Sequence, residues 1–339
     1  MDKSDFKIIL SRTDSIGDVV LTLPMAGVLK WHFPACKIYF LGRTYTKEII
    51  LLSKHVDEFI NYDEIIALNV KEQVEKIKAI SADIFLHVLP KKEIAILAKR
   101  AGVPLRVGTT NRLFHWYTCN QLIRLSRKNS QWHESQLNIK LLRFISIKEK
   151  IELNQIHNYY GFTQLPNLDP DFFKLIDSKK INLILHPKSK GSAKEWGLEN
   201  YAELIKILPS EKFNVFICGT EHDGSEMRGL LSNCKHAIDL TGKLTLRQYI
   251  AFINCADALV AASTGPLHIA ASLNKISIGL FSSKRPIHPG RWAPIGNKAI
   301  ALVYDKNCDK CKRQLDCDCI TKIEPKQIVD LLEKNYESV

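Results

Sequence analysis

Three stretches of this 339-residue chain place chemically capable residue types where a strand gives way to a helix. The first follows the strand-like run Phe6–Ser11 and reads Arg12-Thr13-Asp14-Ser15-Ile16-Gly17-Asp18. Gly17 lets the turn pass close to a ligand, and Asp18, at the start of the next helix, is a candidate general base. Asp14, Ser15 and Asp18 could equally be only a helix cap. The second, His186-Pro-Lys-Ser-Lys-Gly-Ser-Ala-Lys-Glu-Trp196, gathers Lys188, Lys190 and Lys194 with Ser189, Gly191 and Ser192. Ammonium groups and backbone N–H groups make such a loop a cradle for a polyanion, or else a solvated basic loop. The third runs from Leu259 to Ala271, where small residues lead into Ser263-Thr264-Gly265-Pro266. Pro266 suits the first helical turn, and the N–H groups and Thr264 hydroxyl there could hold a phosphate. His268 falls in that first turn, facing either a ligand or the core.

The elements that must position these loops alternate. Short apolar runs at Phe6–Ser11, Lys37–Leu41, Asp83–Val88 and Leu105–Val107 read as strands. Helical patterns at Asp18–Lys30, Thr46–Leu52, Lys71–Ile80, Glu93–Ala101 and His133–Ile145 separate or follow them. Periodicity decays over Asn154–Lys174, a stretch with Pro166 and Pro170, and the alternation then restarts at Ile181. The pattern predicts an α/β protein with two parallel sheets: a first domain over 1–165, a second over 175–323, and a closing helix over 324–339.

Composition narrows the function classes. Hydrophobic residues at 45% and charged residues at 25% match a folded domain and exclude disordered or coiled-coil classes. No run approaches the roughly 18 apolar residues of a membrane span, and the N-terminus lacks a signal-peptide core. Neither export nor membrane spanning is expected, and the scattered cysteines suit a reducing compartment. Of the net charge of +12, the segment Lys91–Arg143 holds +9, with eleven basic residues against two acidic ones. Such a block suits nucleic acid, an anionic membrane surface or a phosphorylated acceptor, or is simply solvated. No G-x-G-x-x-G or G-x-x-x-x-G-K-[ST] pattern follows a strand, which counts against dinucleotide-binding and P-loop chemistry.

The loop Asp14-Ser-Ile-Gly-Asp-Val-Val-Leu-Thr-Leu-Pro24, the element Lys194-Glu-Trp196, Cys218-Gly-Thr-Glu221, Ser263-Thr-Gly-Pro-Leu-His-Ile-Ala-Ala271 and Arg291-Trp-Ala-Pro-Ile-Gly296 come in a definite order. Together they resemble the motifs of the ADP-heptose:lipopolysaccharide heptosyltransferases, glycosyltransferase family 9, over nearly the whole chain. The resemblance implies a GT-B fold, two Rossmann-like domains facing each other across a cleft. It implies an inverting, metal-independent transfer of heptose from ADP-heptose to the phosphorylated, Kdo-bearing inner core of lipid A. Carried over motif by motif, Asp18 is the catalytic base, with Ser15 and Gly17 beside the acceptor. Lys188, Ser189, Lys194, Glu221, Ser263, Thr264, Gly265 and His268 line the nucleotide sugar. The basic segment, through Arg112 and Lys128, would hold the anionic acceptor. Trp116 and Tyr117 would touch lipid or sugar, or else pack a loop. The implied setting is the inner face of the cytoplasmic membrane, with no nucleic-acid partner and no cofactor beyond the donor.

One departure bears on the donor: many family members carry Asp where this chain has Ser263, so an acidic contact becomes a neutral hydroxyl. A transferase using another nucleotide sugar, or a non-catalytic nucleotide-binding protein on the same scaffold, are the alternatives. The cluster Cys308-x2-Cys311-x5-Cys317-x-Cys319 could close a tetrahedral zinc site. Its closing C-x-C departs from paired C-x2-C knuckles, and family members carry cysteines in this tail without a required metal. The reading therefore places unligated thiols first and structural zinc second.

Overall fold

The computed structural model describes residues 5–127, 130–147, 150–231, 234 and 236–336. The chain divides into two units, 1–164 and 165–339. In the first, six parallel strands form one sheet: β1 (Lys7–Ser11), β2 (Lys37–Gly42), β3 (Glu58–Asn61), β4 (Ile84–His87), β5 (Leu105–Thr109) and β6 (Gln121–Ile123). Their spatial order is β3-β2-β1-β4-β5-β6. The second unit repeats the design with β7 (Ile181–His186), β8 (Phe213–Ile217), β9 (Ala237–Asp239), β10 (Ala258–Ala262), β11 (Ile276–Phe281) and β12 (Ala299–Val303), in the order β12-β11-β10-β7-β8-β9. Both are doubly wound sheets in which the strand order reverses beside the first strand, between β1 and β4 and between β7 and β10.

The central strands are buried on both faces, as continuous apolar runs such as Ile8-Ile9-Leu10 and Leu183-Ile184-Leu185 require. The edge strands β3, β6 and β12 gave no strand signal in the sequence. They are only half-buried, and their mixed polarity hides the pattern. The single helix expected over Asp18–Lys30 is two, Ile16–Val20 and Pro24–His32. Pro24 lacks an N–H and so takes the start of a new helix. The helix expected over His133–Ile145 is α-helical over Glu134–Ile139 and tightens to a 3-10 helix over Lys140–Ile145.

The boundary between the units, at 164/165, falls within the Asn154–Lys174 stretch where the periodicity decays. A 3-10 helix over Leu153–Tyr159 packs on the helix Pro24–His32, where a Cβ on Gly27 would lie 2.1 Å from the Tyr159 carbonyl oxygen. The closing helix, Pro325–Tyr336, buries Ile328, Val329 and Leu332 in the same core as Leu183, Trp196 and Leu204, so it is an integral part of the second unit.

At the carboxyl end of β4, His87 is fully buried beside Phe85 and His115, ring centroids 4.7 and 5.4 Å away. Neither of its ring nitrogens has a hydrogen-bond partner among the described residues. Burial, reinforced by His115 and Arg106, pushes its pKa down to about 3. The unfolded chain takes up this proton near the ordinary value of about 6.5. The folded protein is therefore undisturbed above that pH and loses stability as the pH falls from there toward 3. His87→Leu should flatten the dependence, by up to about 1.4 kcal/mol per pH unit between pH 6 and 4. Urea unfolding of both proteins across that range checks this, and parallel slopes would refute it.

Candidate active site

In a doubly wound sheet the crevice for a ligand lies at the carboxyl ends of the strands where their order reverses. In the first unit that place is filled by a charge network centred on Arg12. Its side chain is 4% exposed and donates from Nε to Asp14 Oδ1 at 2.6 Å, from Nη1 to Glu134 Oε1 at 3.2 Å, and from Nη2 to Asp18 Oδ1. Burial opposes the guanidinium charge, and the three carboxylates more than offset it, raising its pKa. Burial raises the Asp14 carboxyl above its usual range, with Arg12 opposing and Asp18 reinforcing the shift.

The second Asp18 oxygen accepts the Ser15 hydroxyl at 2.5 Å, and the Asp18 backbone carbonyl accepts Thr22 Oγ1 at 2.8 Å. Ser15 stands at the N-cap position of Ile16–Val20 but makes no side-chain cap, so its hydroxyl serves Asp18 instead. Gly17 is buried within this turn.

Glu134, 1% exposed, also accepts Arg127 Nε at 3.0 Å. Arg127 donates to Asn138 Oδ1 at 2.8 Å, and Asn138 donates to the Leu21 carbonyl at 3.2 Å and Thr22 Oγ1 at 3.1 Å. The carboxylate of Asp18 is thus held through residues more than a hundred positions away. Sequence reading counted Arg127 and Glu134 only as part of a charged block, because nothing local distinguishes a buried partner from a solvated one. Arg112 stands apart, exposed at the start of the helix Leu113–Thr118. Lys128 lies outside the described residues.

In the second unit, pairing of Ala261 with His186 sets the end of β10 beside the loop that leaves β7. Thr264 is the N-cap of the helix Gly265–Ser272, with Pro266 in its first turn. Ser263, Thr264 and His268 are buried, and the Thr264 hydroxyl neither caps the helix nor finds another partner among the described residues. The 187–196 loop passes through two consecutive left-handed residues, Lys190 (φ 51°) and Gly191 (φ 77°).

The three lysines of the loop have different surroundings. Lys188 donates to Glu195 Oε2 at 3.0 Å and Glu226 Oε2 at 2.8 Å, hydrogen bonds that raise its pKa. Ser189 donates from its backbone N–H to Glu195 Oε1 at 2.8 Å and from its hydroxyl to the Ala193 carbonyl at 2.7 Å. Lys194 reaches Asp316 Oδ1 at 2.7 Å, an ion pair open to solvent. Lys190 has no ion-pair partner among the described residues, and with Lys188, Gly191, Glu195 and Asp223 it lines an open pocket. Trp196 is buried and anchors the loop by donating Nε1 to the Ile323 carbonyl at 2.9 Å.

Glu221 opens the helix Glu221–Leu231 and accepts both Arg228 Nη groups, at 2.9 and 3.0 Å, which lower its pKa. Gly242 (φ 73°) comes so close that a Cβ there would lie 2.2 Å from Glu221 Oε2. The Arg291–Gly296 motif is held against the helix Gly265–Ser272 in the same manner, since a Cβ on Gly296 would lie 2.2 Å from the Ala271 carbonyl oxygen. Ser263, Thr264, Gly265 and His268 thus stand at the β7–β10 switch point, while Lys188 and Ser189, on the loop that leaves β7, are turned toward Glu195, with Lys188 also reaching Glu226. Lys194 and Glu221 sit on adjoining loops, the first turned toward Asp316 and the second toward Arg228. Their partners carried no signal in the sequence.

Residues 72–319 match the model of glycosyltransferase family 9 (heptosyltransferase). A Haemophilus influenzae protein named as a glycosyltransferase, with no donor or acceptor stated, is 27% identical over 310 residues, 86% of each chain. The lipopolysaccharide core heptosyltransferase OpsX of the same organism is 29% identical over 141 residues, 40% of each chain. The solved structure of Escherichia coli ADP-heptose lipopolysaccharide heptosyltransferase II superposes with a TM-score of 0.75 at 19% identity, over 98% of this chain and 100% of that one. Two doubly wound parallel sheets in the GT-B fold, carrying the ordered motifs of this family across most of the chain, make the protein a member of glycosyltransferase family 9.

Proposed function

We propose that this enzyme transfers a heptose from ADP-heptose to the phosphorylated inner core of lipopolysaccharide, with Asp18 as base and with inversion at the anomeric carbon. The observation that carries the reading is the switch point of the second unit, where a lysine-bearing loop borders a helix start whose Thr264 hydroxyl has no partner among the described residues. Attack at an anomeric carbon passes through an oxocarbenium-like state while negative charge grows on the departing diphosphate. The Gly265–Ser272 helix start and the loop's ammonium groups stabilise that charge without a divalent ion.

Magnitudes separate the lysines. Lys188, held by two glutamates, positions the loop. The Lys194–Asp316 pair is open to solvent and screened by it, so Lys194 exchanges its partner readily for a diphosphate. Lys190 offers a further positive charge at the pocket. Glu221 faces the adenosine, its orientation set by Arg228. Ser263, a neutral hydroxyl, favours a second reading in which the sugar differs from the usual heptose.

For the acceptor, Ser15 and Asp18 meet the attacking hydroxyl, with Gly17 allowing its approach, and Arg112 and Lys128 take the acceptor's phosphates. No helix among the described residues is long and apolar enough to cross a membrane. The helix Leu113–Thr118 nevertheless exposes Leu113 (86%), Trp116 (62%) and Tyr117 (52%) at positions i, i+3 and i+4, with Arg112 preceding it and Lys99 Nζ donating to the Tyr117 carbonyl. An apolar stripe bordered by basic residues suits the inner leaflet of an anionic membrane, where the acceptor lipid resides.

Asp18→Asn is expected to lower turnover by about 10²–10⁴-fold while ADP affinity stays unchanged. A variant keeping more than about a tenth of the activity would remove Asp18 from the role of base. Adding Mg²⁺ or Mn²⁺ should leave the wild-type rate unaltered. Calorimetry should show ADP preferred over UDP, GDP and CDP, with Lys194→Ala weakening it by about 10–100-fold; preference for another nucleotide would select the second donor reading. Vesicles with anionic lipid should sediment the wild type, and Leu113→Ser with Trp116→Ser should abolish this. Equal sedimentation of the double variant would dismiss the stripe as the membrane contact.

A further inference from the structure

The four cysteines of the tail converge. Cys308 precedes the short helix Asp309–Lys312, Cys311 lies within it, and Cys317 and Cys319 return in the following turn. Their Sγ atoms all lie within 4.8 Å of one another, with Cys308–Cys317 at 3.4 Å and Cys311–Cys319 at 3.5 Å. Cys311, Cys317 and Cys319 are buried, and the four form a cluster of their own, separate from the apolar core of the second unit. Thiols serving only as small apolar residues would be dispersed against such a core, as Cys234 is. All four are free thiols, with sulfurs well beyond bonding distance.

We infer that Cys308, Cys311, Cys317 and Cys319 bind one structural zinc ion that locks the tail against the nucleotide-sugar loop. A tetrahedral ion with Zn–S bonds of about 2.3 Å needs sulfurs about 3.8 Å apart, a spacing the observed separations bracket. The residue spacing had put zinc second because C-x-C departs from the paired knuckle. In three dimensions the turn after Asp316 brings Cys317 and Cys319 to the other two, and the Cys319 N–H donates to Cys317 Sγ at 3.4 Å. Four thiolates leave no open position, so the ion is closed to substrate and separate from the transfer chemistry. Binding forms four Zn–S bonds and releases the four thiol protons to solvent.

The surroundings show what the ion would hold. Asp316 Oδ1 accepts both the Cys317 N–H at 3.0 Å and Lys194 Nζ at 2.7 Å. The Leu315 carbonyl accepts Lys284 Nζ at 3.1 Å, and the Thr321 carbonyl accepts Asn200 Nδ2 at 2.8 Å. A tail fixed by metal therefore sets the resting position of Lys194, and a tail without metal releases it.

Metal analysis of the full-length protein, purified under reducing conditions with zinc in the growth medium, tests this without substrate and so independently of the proposed transfer. One zinc per chain is expected, falling below about a tenth in a Cys311→Ser, Cys317→Ser double variant and staying near one in Cys255→Ser. In case the double variant fails to fold, wild-type protein stripped of metal and titrated with Co²⁺ should give the thiolate-to-metal and visible bands of a tetrahedral site, saturating at one equivalent. Chelation should lower the melting temperature. Zinc below about a tenth per chain with no cobalt spectrum, a stoichiometric iron chromophore, or Cys308–Cys317 and Cys311–Cys319 disulfides in the reduced preparation would each overturn the inference.

Discussion

Each half of this enzyme depends on one adjacency: the first strand of its sheet lies beside the fourth. β1 pairs with β4 and β7 pairs with β10, all parallel, so the chain leaves neighbouring strands in opposite directions. At that split the loops diverge and backbone groups at the strand ends are left without neighbours to bond. The Arg12–Asp18 loop stands at one split, and the 187–196 loop with the Ser263–Gly265 turn at the other. The Asp18 carboxylate and the Ser263–His268 helix start stand at those two openings, and the rest of each sheet serves to hold them.

The two openings are organised by opposite electrostatic means. In the first unit a single buried guanidinium gathers Asp14, Asp18 and Glu134, and Arg127 shares the innermost carboxylate. Taking these charges out of water is costly, and the arrangement persists because the charges are paired and hydrogen-bonded. Its yield is orientation, since the carboxylate of Asp18 is held at both oxygens. In the second unit the charges are at the surface and exchangeable, apart from the clamp of Lys188 by Glu195 and Glu226. A rigid carboxylate and an adaptable cationic loop are what acid–base and anion-binding roles respectively demand.

The tail shows how a distant segment governs such a loop. Asp316 lies 122 residues from Lys194 and meets it only because the Cys308–Cys319 turn folds back on the second unit. Trp196 is tied to the Ile323 carbonyl across a comparable distance in sequence. The loop therefore rests on the tail, and the order of the tail becomes a property of the 187–196 loop.

The alternation of strand and helix and the division into two halves were legible in the residues, because buried parallel strands must be apolar throughout. Edge strands such as β3 and β12 were not legible, since half-burial removes the pattern. The partners of Asp18, Lys188, Glu221 and Lys194 were hidden as well. A charged residue that pairs across a fold carries the same local signature as one facing water, and only packing brings Glu134 to Arg12 or Asp316 to Lys194. The cysteine spacing argued weakly for metal, and it was the turn at Asp316, a matter of backbone path and no property of spacing, that brought the four sulfurs together.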